Sequence, residues 1–442
     1  MIWLYRLLFP FAALLSAPHY LRRMLRRGGY GKDLRMRLGL WPRLPAKKPG
    51  VLRIWIQAVS VGEVTSIGSL LDELADSDDV EVVLSGTTST GLHIAKKRHR
   101  GQVLALGPFP LDWWLFSALA WNRIRPDVVA MVDSELWPEH LARARKRKVP
   151  AVVLNARLSD RSHARLGKLG LFRSITLPPN LRVFASSDRQ AERWTEVGIP
   201  RNDVLVTGNL KHDVEPDPTP REQIRASLRN EFGFPANDLV LTGISTWPGE
   251  ETALGDALLA ARDENLTVRL LLIPRHAERR EEVAAALQGR DLLVHFRSQS
   301  KQAPTGTDVY VADVTGELAS LIRAADLAFV GKTLPPNAGG QNPIEPAALG
   351  LPLLLGPNCQ NFAETRDGLL RAGALTEVRD SAHLREEVLR LLDNPDARQE
   401  DGQAALAWKK AHAGATQRTM DGLRDILKGK TQPTIEAIGE PP

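Results

Sequence analysis

The stretch VLRIWIQAVSVGEVTSIGSLLDELA, residues 51–75, contains the pattern from which the fold of this chain is inferred. Residues 52–57 are mostly apolar and predict a buried strand, a glycine at position 62 lets the chain turn, and residues 62–75 have the periodicity of a helix. A strand followed at once by a helix is the repeating unit of an α/β fold. Glu63 lies at this junction, where a phosphate-binding turn would have another glycine or a lysine.

The same alternation of strand and helix continues through the first half of the chain. Strands are predicted at residues 52–57, 80–85, 103–106, 127–132, 151–154, 182–185 and 204–206. Helical patterns such as 136–146 and 189–197 lie between them. Strands that are apolar throughout are typical of a parallel sheet covered by helices on both faces, so this half predicts one doubly wound α/β domain.

The alternation stops at HDVEPDPTPREQ, residues 212–223, whose three prolines and four acids predict a linker. It resumes with strands predicted at 239–243, 268–273, 308–311, 327–330 and 352–355, and with helices such as 249–264 and 382–392. The sequence therefore predicts two doubly wound, Rossmann-like domains facing a cleft. The predicted divisions are an N-terminal basic segment 1–50, a first domain 51–211, a linker 212–223, a second domain 224–428 and a tail 429–442.

Composition excludes several classes of protein. A length of 442 residues is long for one core and favours two domains. The single cysteine, Cys359, excludes an internal disulfide, and the ten scattered histidines include no HExxH motif, so no metal site or bound cofactor is predicted. The net charge is +6, yet residues 1–50 alone have eleven Lys and Arg against one acid. This basic character at one end argues against a nucleic-acid-binding groove.

The N-terminus combines an apolar run with that basic cluster. Residues 7–17 are apolar apart from Ser16, and four arginines follow within 22–27. A full membrane span needs about 20 apolar residues. The order of the two parts favours a short anchor or interfacial helix whose arginines face anionic lipid, rather than a cleaved signal peptide or a plain soluble amphipathic helix. Whether residues 2–20 span the bilayer or lie in its interface stays open.

Polar residues collect at the turns that follow the predicted strands of the first domain, which is where α/β sheets bind ligands. Glu63 follows the first strand, Asp133 and Glu135 follow the fourth in VDSELWP, and Arg157 and Arg161 follow the fifth in NARLSDRS. These side chains are expected to converge on one rim. Hydroxyl residues in SGTTSTG, residues 85–91, either bind a sugar or phosphate or only cap the next helix.

The turns of the second domain contain a comparable set. Ser245 and Thr246 precede a helix, and Arg275 follows a strand, where a guanidinium can clamp a phosphate. In the loop GGQNPIEP, residues 339–346, Asn342 caps a helix and Glu345 lies one turn further on. A carboxylate at that position suits a ribose diol, although it is also a common first-turn capping acid. We interpret this loop as a nucleotide site.

At these residues the chain resembles the 3-deoxy-D-manno-octulosonic acid (Kdo) transferases, which are GT-B glycosyltransferases of lipopolysaccharide assembly. The resemblance extends from the N-terminus to about residue 361. It is carried by the motifs SVGE (60–63), SELWP (134–138), NARLSDRS (155–162), GNLKHD (208–213), IPRHAER (273–279), GELASLIRAADLAFVG (316–331) and GGQNPIEPAALGLPLLLGP (339–357).

The resemblance implies an inverting reaction in which the donor is CMP-Kdo and the acceptor is a lipid A precursor, at the cytoplasmic face of the inner membrane, without a protein-bound metal. It implies that the first domain binds the acceptor, that Glu63 is the catalytic base, and that Glu135, Asp133 and Lys211 stabilise the transition state. The implied donor contacts are Pro274, Arg275, Thr315, Gly316, Glu317, Asn342, Pro343, Ile344 and Glu345. Ser245 and Thr246, from the turn after the first strand of the second domain, are added to them as substrate-binding residues.

Four residues depart from the pattern expected of that family. Gln57 and Trp247 stand where His is usual, Asp133 replaces Glu, and Lys332 stands where a second glycine is common. None of these four differences removes the implied base, Glu63. Trp247 is bulkier than histidine, which leaves the fit of the donor and the acceptor open. The alternatives are another GT-B enzyme, such as a UDP-sugar transferase or a sugar-nucleotide 2-epimerase, and a non-catalytic membrane-associated scaffold.

Overall fold

The computed structural model describes residues 2–26, 29–168, 170, 176–214 and 219–429. The chain forms two compact units. The first contains the described residues up to Val214 together with those from His412 onward, and the second contains the described residues between them. Each unit is built on a sheet of seven strands. The prediction of two α/β domains with parallel sheets is confirmed.

The sheet of the first unit has the strand order β3-β2-β1-β4-β5-β6-β7, and every neighbouring pair is parallel. The order reverses between β1 and β4, and ligands of doubly wound sheets bind at such a switch point. All seven of these strands were predicted. Their bounds are β1 Leu52–Gln57, β2 Val80–Gly86, β3 Ala105–Pro108, β4 Val128–Val132, β5 Ala151–Ala156, β6 Leu181–Ala185 and β7 Val204–Val206.

Helices cover both faces of this sheet. Trp55 of β1 packs into the core on one face, and its neighbours Ile54 and Ile56 pack into the core on the other. The described helices of the first unit are α1 Ile2–Arg26, α2 Leu34–Arg37, α3 Val61–Ser66, α4 Gly68–Ala75, α5 Ser89–His99, α6 Trp114–Ile124, α7 Pro138–Lys146, α8 Asp160–Gly167, α9 Asp188–Glu196 and, from the C-terminal end of the chain, α18 Ala415–Leu427.

The sheet of the second unit has the order β10-β11-β9-β8-β12-β13-β14, again parallel throughout, and reverses between β8 and β12. Its strands are β8 Leu239–Thr246, β9 Val268–Pro274, β10 Val294–Phe296, β11 Val309–Val311, β12 Leu327–Val330, β13 Leu353–Leu355 and β14 Leu375–Glu377. Its described helices are α10 Arg221–Glu231, α11 Glu250–Asp263, α12 Arg280–Leu287, α13 Leu318–Leu321, α14 Ile344–Ala348, α15 Ala363–Arg371, α16 Ser381–Asp393 and α17 Pro395–Ala411. The sequence predicted five of these strands. It missed β10 and β14, the two edge strands, whose three residues VHF and LTE include polar side chains and so give no apolar run.

The division between the units differs from the predicted boundaries in two places. His212 is buried on a 3-10 turn, Leu210–Asp213, and therefore lies within the first unit rather than in a linker. Helix α10 begins at Arg221, inside the predicted linker. The last helix, α18, belongs to the first unit, although the sequence predicted it in the second. Most of the predicted tail, from residue 430, lies outside the described residues.

Helix α1 is fixed to the first unit by polar contacts at its start. The Tyr5 hydroxyl donates to Asp112 Oδ2 at 2.6 Å, and Arg6 Nε donates to Glu139 Oε2 at 2.7 Å. The Trp113 indole donates to the carbonyl of Arg6 at 3.0 Å. Asp112 accepts in turn from the backbone N–H groups of Glu139 and of the residue that follows it. These bonds join α1 to the first turn of α7.

The other side of α1 is apolar and uncovered. Trp3, Leu7, Phe11, Leu14 and Leu15 have between 64% and 84% of their surface exposed. Two prolines, Pro10 and Pro18, lie inside the helix. In the described part of the chain, no helix is both long enough and apolar enough to cross a membrane.

Substituting Arg6 with Ala is expected to lower the free energy of unfolding of the first unit by about 3 kcal/mol, because it removes one partner of a buried ion pair. The Glu139 side chain is fully buried and would keep only Arg143, at 3.2 Å. Urea denaturation followed by circular dichroism measures the loss. Arg22→Ala, an exposed position on the same helix, is the control. Equal midpoints for the two variants would show that the Arg6–Glu139 pair does not stabilise the fold.

Candidate active site

The turn after β1 places Glu63 in the first turn of α3. Ser60 is the N-cap, and its Oγ accepts from the backbone N–H of Glu63. The Glu63 carboxylate accepts from the backbone N–H of Val59 at 2.7 Å and from the Ser60 hydroxyl at 3.0 Å. This reciprocal arrangement is a variant of the capping box, in which the carboxylate bonds the N–H group before the N-cap, and it explains locally why a helix starts here. It fixes the carboxylate at the carboxyl end of β1, beside the switch point of the sheet.

The turn after β4, on the other side of the switch point, places Asp133 and Glu135. Asp133 has a φ of 62°, in the left-handed region that few non-glycine residues adopt. Its carboxylate accepts from the Asn155 amide at 2.9 Å and pairs with Arg157 at 3.4 Å. Glu135 lies two residues further on, just before α7 begins at Pro138. Backbone strain of this kind is most often found at functional sites.

Asn155 connects three of the sequence motifs. Its side chain is fully buried, donating to Asp133 through Nδ2 and accepting from the backbone N–H of Leu210 through Oδ1, at 3.0 Å. The next residue, Lys211, has its backbone N–H bonded to Asn209 Oδ1 at 3.1 Å. The predicted catalytic residue Lys211 is thereby held on a turn that is tied to Asp133. The sequence analysis included Asn155 in the turn after β5 but did not predict this pair of hydrogen bonds. Their only sign in the sequence is an amide side chain at the end of a buried strand.

The C-terminal helix completes the support of the Lys211 turn. Asp213 Oδ1 accepts from the backbone N–H of Gly414 at 2.7 Å, and Asp213 Oδ2 accepts from that of Thr416. Arg418 Nε donates to the carbonyl of Thr207 at 2.8 Å. The start of α18 is therefore bonded to both ends of the segment that contains Lys211.

Two carboxylates of this group are affected by the charges of their neighbours. Burial and then the charges of Asp133 and Glu135 raise the pKa of Glu63 from 4.5 to about 7, while the bonds from Val59 and Ser60 oppose the rise. Burial and the charge of Asp133 likewise raise the pKa of Glu135 from 4.5 to about 7. A carboxylate with a pKa near neutrality is well matched to accept a proton at physiological pH. The predicted convergence of Glu63, Asp133 and Glu135 is therefore found in the first unit.

The hydroxyl residues of the turn after β2 serve the fold. Ser85 is buried and accepts from the Trp55 indole at 2.9 Å, and Thr88 caps α5 by accepting from Gly91 N–H at 3.1 Å. Gln57 donates to Thr87 Oγ1 at 2.7 Å. Of the two interpretations that the sequence left open, the structure supports the capping role for Thr88.

In the second unit, Ser245 and Thr246 are buried at the end of β8, next to the switch point. Ser245 has a φ of 53°, and the Thr246 hydroxyl donates to Glu251 Oε1 at 2.8 Å. Glu250, fully buried, accepts four backbone N–H bonds: from Trp247 at 2.9 Å, Lys332 at 2.8 Å, Thr333 at 2.9 Å and Leu334 at 3.1 Å. This carboxylate fixes the turn after β8 to the loop after β12. The sequence analysis did not single out Glu250, because an acidic residue in the first turn of a helix is common.

The turn after β9 leaves one predicted contact exposed and one buried. Pro274 ends the strand in a buried position, whereas the Arg275 side chain is exposed and its backbone N–H donates to the Thr246 carbonyl at 3.2 Å. Arg279 pairs with Glu251 at 2.9 Å and so supports the same turn. Arg275 forms no ion pair among the described residues, so its guanidinium is available to an anion.

The turn after β11 contains the predicted donor contacts Thr315, Gly316 and Glu317. Thr315 and Gly316 are exposed, as a ligand contact requires, and Gly316 has a φ of 90°. The carboxylate of Glu317, however, pairs with the buried Arg297 through Nη2 at 2.5 Å and Nε at 3.1 Å. The Glu317 carboxylate is thus held by a buried guanidinium, and its role as a donor contact stays a prediction.

The loop before α14 joins Asn342 to Glu345, although the residue at the N-cap of the helix is Pro343 and not, as predicted, Asn342. Asn342 Oδ1 accepts from the backbone N–H of Ile344 at 3.1 Å, and its amide donates to Glu345 Oε1 at 3.1 Å. Pro343 and Ile344 are buried, which leaves their side chains to packing. Asn342 and Glu345 are half-buried and form the polar part of this loop.

Comparison with known proteins assigns the chain to a family. A family model described as 3-deoxy-D-manno-octulosonic-acid transferase (kdotransferase) matches residues 32–214, which include Glu63, Asp133, Glu135 and Lys211. The 3-deoxy-D-manno-octulosonic acid transferase of Bordetella pertussis is 34% identical over 397 residues, covering 87% of this chain and 90% of the relative. The enzyme of the same name from Haemophilus influenzae is 30% identical over 429 residues, covering 96% of each.

A solved structure shows the likeness of fold at much lower identity. The putative UDP-N-acetylglucosamine 2-epimerase from Listeria monocytogenes superimposes with a TM-score of 0.61 over 87% of this chain and 100% of that one, at 14% identity. At this identity the likeness concerns the fold alone, which resembles that of GT-B glycosyltransferases. Since identity to two curated relatives extends over most of its length, the chain belongs to the 3-deoxy-D-manno-octulosonic acid transferases and is a glycosyltransferase of lipopolysaccharide biosynthesis.

Proposed function

We propose that this enzyme moves Kdo from CMP-Kdo to a hydroxyl of a lipid A precursor, with inversion and with Glu63 as the general base. The observation that carries the proposal is the group of carboxylates at the switch point of the first sheet. Glu63 is fixed there by its capping box, with its pKa raised to about 7. The family membership supports Kdo as the transferred sugar.

In the proposed reaction, Glu63 takes the proton of the acceptor hydroxyl as that oxygen attacks the anomeric carbon of Kdo. The bond from the anomeric carbon to the phosphate oxygen breaks, and CMP leaves with the electron pair. Positive charge develops on the sugar, and the carboxylate of Glu135, with Asp133 behind it, stabilises that charge. We assign Lys211 to the negative charge on the leaving phosphate or on the Kdo carboxylate.

Within the second unit, we assign the nucleotide to the turns at the carboxyl ends of β8, β9 and the loop before α14. Arg275 is exposed and suits a phosphate, and Glu345 suits a ribose diol. Ser245 and Thr246 shape the end of β8. Pro343 and Ile344 are buried and serve to hold Asn342 and Glu345 in place.

The experiment that tests the reaction is transfer of Kdo from CMP-Kdo to a tetraacylated lipid A precursor, followed by mass spectrometry. The proposal expects product heavier than the acceptor by one or more Kdo residues. A parallel thermal-shift measurement compares CMP with UDP, since a ligand that binds the native state raises its melting temperature. Stabilisation by UDP but not CMP, with no Kdo transferred, would show that the donor is a different sugar nucleotide.

We further propose that α1 docks the enzyme on the cytoplasmic face of the inner membrane, where its acceptor is located. The apolar side of α1 is uncovered, and Trp114 and Leu115 at the start of α6 are also 45% and 38% exposed. The Trp113–Arg6 bond places the start of α6 beside α1. A helix with such a face binds in the interface by burying its apolar side chains in the lipid.

Replacing Leu7, Phe11 and Leu15 together by Ser is expected to weaken binding to anionic vesicles by about 100-fold or more. The reason is that three large apolar side chains would no longer be buried in lipid, at about 1.5–3 kcal/mol each when burial is complete. Co-flotation with phosphatidylglycerol vesicles measures the effect. Leu406→Ser, an exposed apolar position in the second unit, is the control. Unchanged flotation of the triple variant would place the membrane contact elsewhere.

A further inference from the structure

Three side chains stand together at the carboxyl ends of three neighbouring strands of the second sheet. His276 follows β9, Trp247 follows β8 and Lys332 follows β12, and these strands are adjacent in the order β9-β8-β12. Lys332 Nζ lies 4.4 Å from the centre of the Trp247 ring, and the Trp247 and His276 rings meet edge to face at 5.5 Å. The group therefore lies at the switch point of the sheet, where doubly wound folds bind ligands.

The backbone of Lys332 is fixed in a conformation that disfavours lysine. Its φ is 62°, in the left-handed region, and its N–H donates to the fully buried carboxylate of Glu250 at 2.8 Å. Glycine would adopt this conformation without strain. A lysine at a position where glycine would be unstrained points to a use for its side chain in addition to its backbone.

The ammonium group of Lys332 has an aromatic partner but no acidic one. It lies over the face of Trp247, an arrangement that attracts a cation to the ring. Among the described side chains, no carboxylate forms an ion pair with it. The neighbouring Gly339 has no side chain to cover it: a Cβ there would lie 3.6 Å from Nζ. A half-buried cation in this setting can be neutralised by an anion that enters from outside.

We propose that Lys332, positioned by Trp247, binds an anionic oxygen of the nucleotide sugar, either on its phosphate or on the carboxylate of the sugar. The proposal rests on the proposed function and adds a recognition residue to it. Trp247 and Lys332 are also two of the positions where the sequence departs from the expected pattern, and the structure brings these two departures into contact. In this proposal the positive charge that binds the anion comes from the loop after β12, and the indole of the turn after β8 holds that charge in place.

The test compares wild type with Lys332→Gln for binding of CMP and of cytidine, by isothermal titration calorimetry, and for the KM of CMP-Kdo. A charge-assisted hydrogen bond is worth about 1.5–3 kcal/mol, so loss of the ammonium is expected to weaken the affected ligand about 10- to 100-fold. Weaker CMP binding with unchanged cytidine binding assigns Lys332 to the phosphate. Unchanged CMP binding with a raised KM for CMP-Kdo assigns it to the sugar carboxylate. Lys301→Gln, an exposed lysine of the same unit, is the control.

A double-mutant cycle tests the part played by Trp247. Trp247→Leu alone is expected to weaken the same ligand, because the ammonium loses its platform, whereas adding Trp247→Leu to Lys332→Gln is expected to cost little more. Melting temperatures of all variants show whether the turn still folds. If Lys332→Gln binds CMP and uses CMP-Kdo as wild type does, the inference is wrong. If wild type itself neither binds CMP nor transfers Kdo, the proposed function fails, and the inference fails with it.

Discussion

Glu63→Gln is expected to lower kcat for Kdo transfer by about 10²–10⁴-fold, the range that general base catalysis contributes. Glutamine has the shape of glutamate but cannot accept the proton of the acceptor hydroxyl. Its carbonyl oxygen can still accept from Val59 N–H, and its amide can donate to the Ser60 hydroxyl, so both partners of the capping box are kept. The substitution therefore removes the base without removing the cap.

The measurement is kcat under saturating substrates, together with the melting temperature in the presence and absence of CMP. Glu63→Gln should keep the wild-type stabilisation by CMP, since Glu63 lies on the first unit and the assigned nucleotide residues lie on the second. Glu73→Gln, an exposed acid on α4, is the matched control and should retain full activity. A variant with Glu63→Gln that keeps most of its rate would show that Glu63 only caps α3 and that the base is Asp133 or Glu135.

Glu135→Gln is expected to lower kcat by about 10²–10³-fold and, in addition, to move the pH dependence of the remaining activity. The first effect follows from losing a carboxylate that stabilises developing positive charge. The second follows because the charge of Glu135 is one of the causes that raise the pKa of Glu63. Without it, Glu63 loses its proton at lower pH. The ascending limb of the pH–rate profile, expected near pH 7 in wild type, should shift to lower pH.

The same substitution is expected to stabilise the protein at neutral and higher pH. In the folded state the pKa of Glu135 is about 7, above its ordinary value of 4.5, so the folded protein holds a proton that the unfolded chain releases. Stability therefore falls as the pH rises from about 4.5 to about 7, and stays lower beyond it. Gln has no proton to lose, and the difference in melting temperature between variant and wild type should grow over that pH range. Glu192→Gln, at an exposed position on α9, is the control. If the difference in melting temperature between Glu135→Gln and wild type stayed constant with pH, burial would not raise the pKa of Glu135.

The sequence predicted the parts of the fold that depend on local pattern. Apolar strands followed by helices indicated both sheets, and the strand ends located Glu63, Asp133 and Glu135 at one rim. Two features escaped it because they depend on contacts between distant segments. The ion pair of Glu317 with Arg297 and the bridge of Asn155 to Leu210 join residues 20 and 55 positions apart, and neither has a periodicity.

The assignment of the last helix failed for the same reason. The helical pattern of α18 was recognised, but a pattern does not say which sheet a terminal helix will pack against. Its apolar residues Met420 and Leu423 pack with Phe184 and Leu210 of the first unit. Its starting turn is bonded to Asp213. Proximity in sequence to the second unit suggested the opposite.

Because the last helix of the chain packs on the first unit, we expect the two units to complete their folding on the ribosome in the reverse of their order in the sequence. Domains usually fold from the N-terminus as synthesis proceeds at about 5–20 residues per second. Here the second unit is one continuous segment, whereas the first lacks α18 until the whole second unit has been synthesised. We expect the unit that is begun first to be finished last, with the apolar surface around Phe184 open to chaperones in the interval. Limited proteolysis of ribosome-bound chains in which residue 411 is followed by an unstructured linker, long enough to bring the whole second unit out of the exit tunnel, should cut the first unit and spare the second.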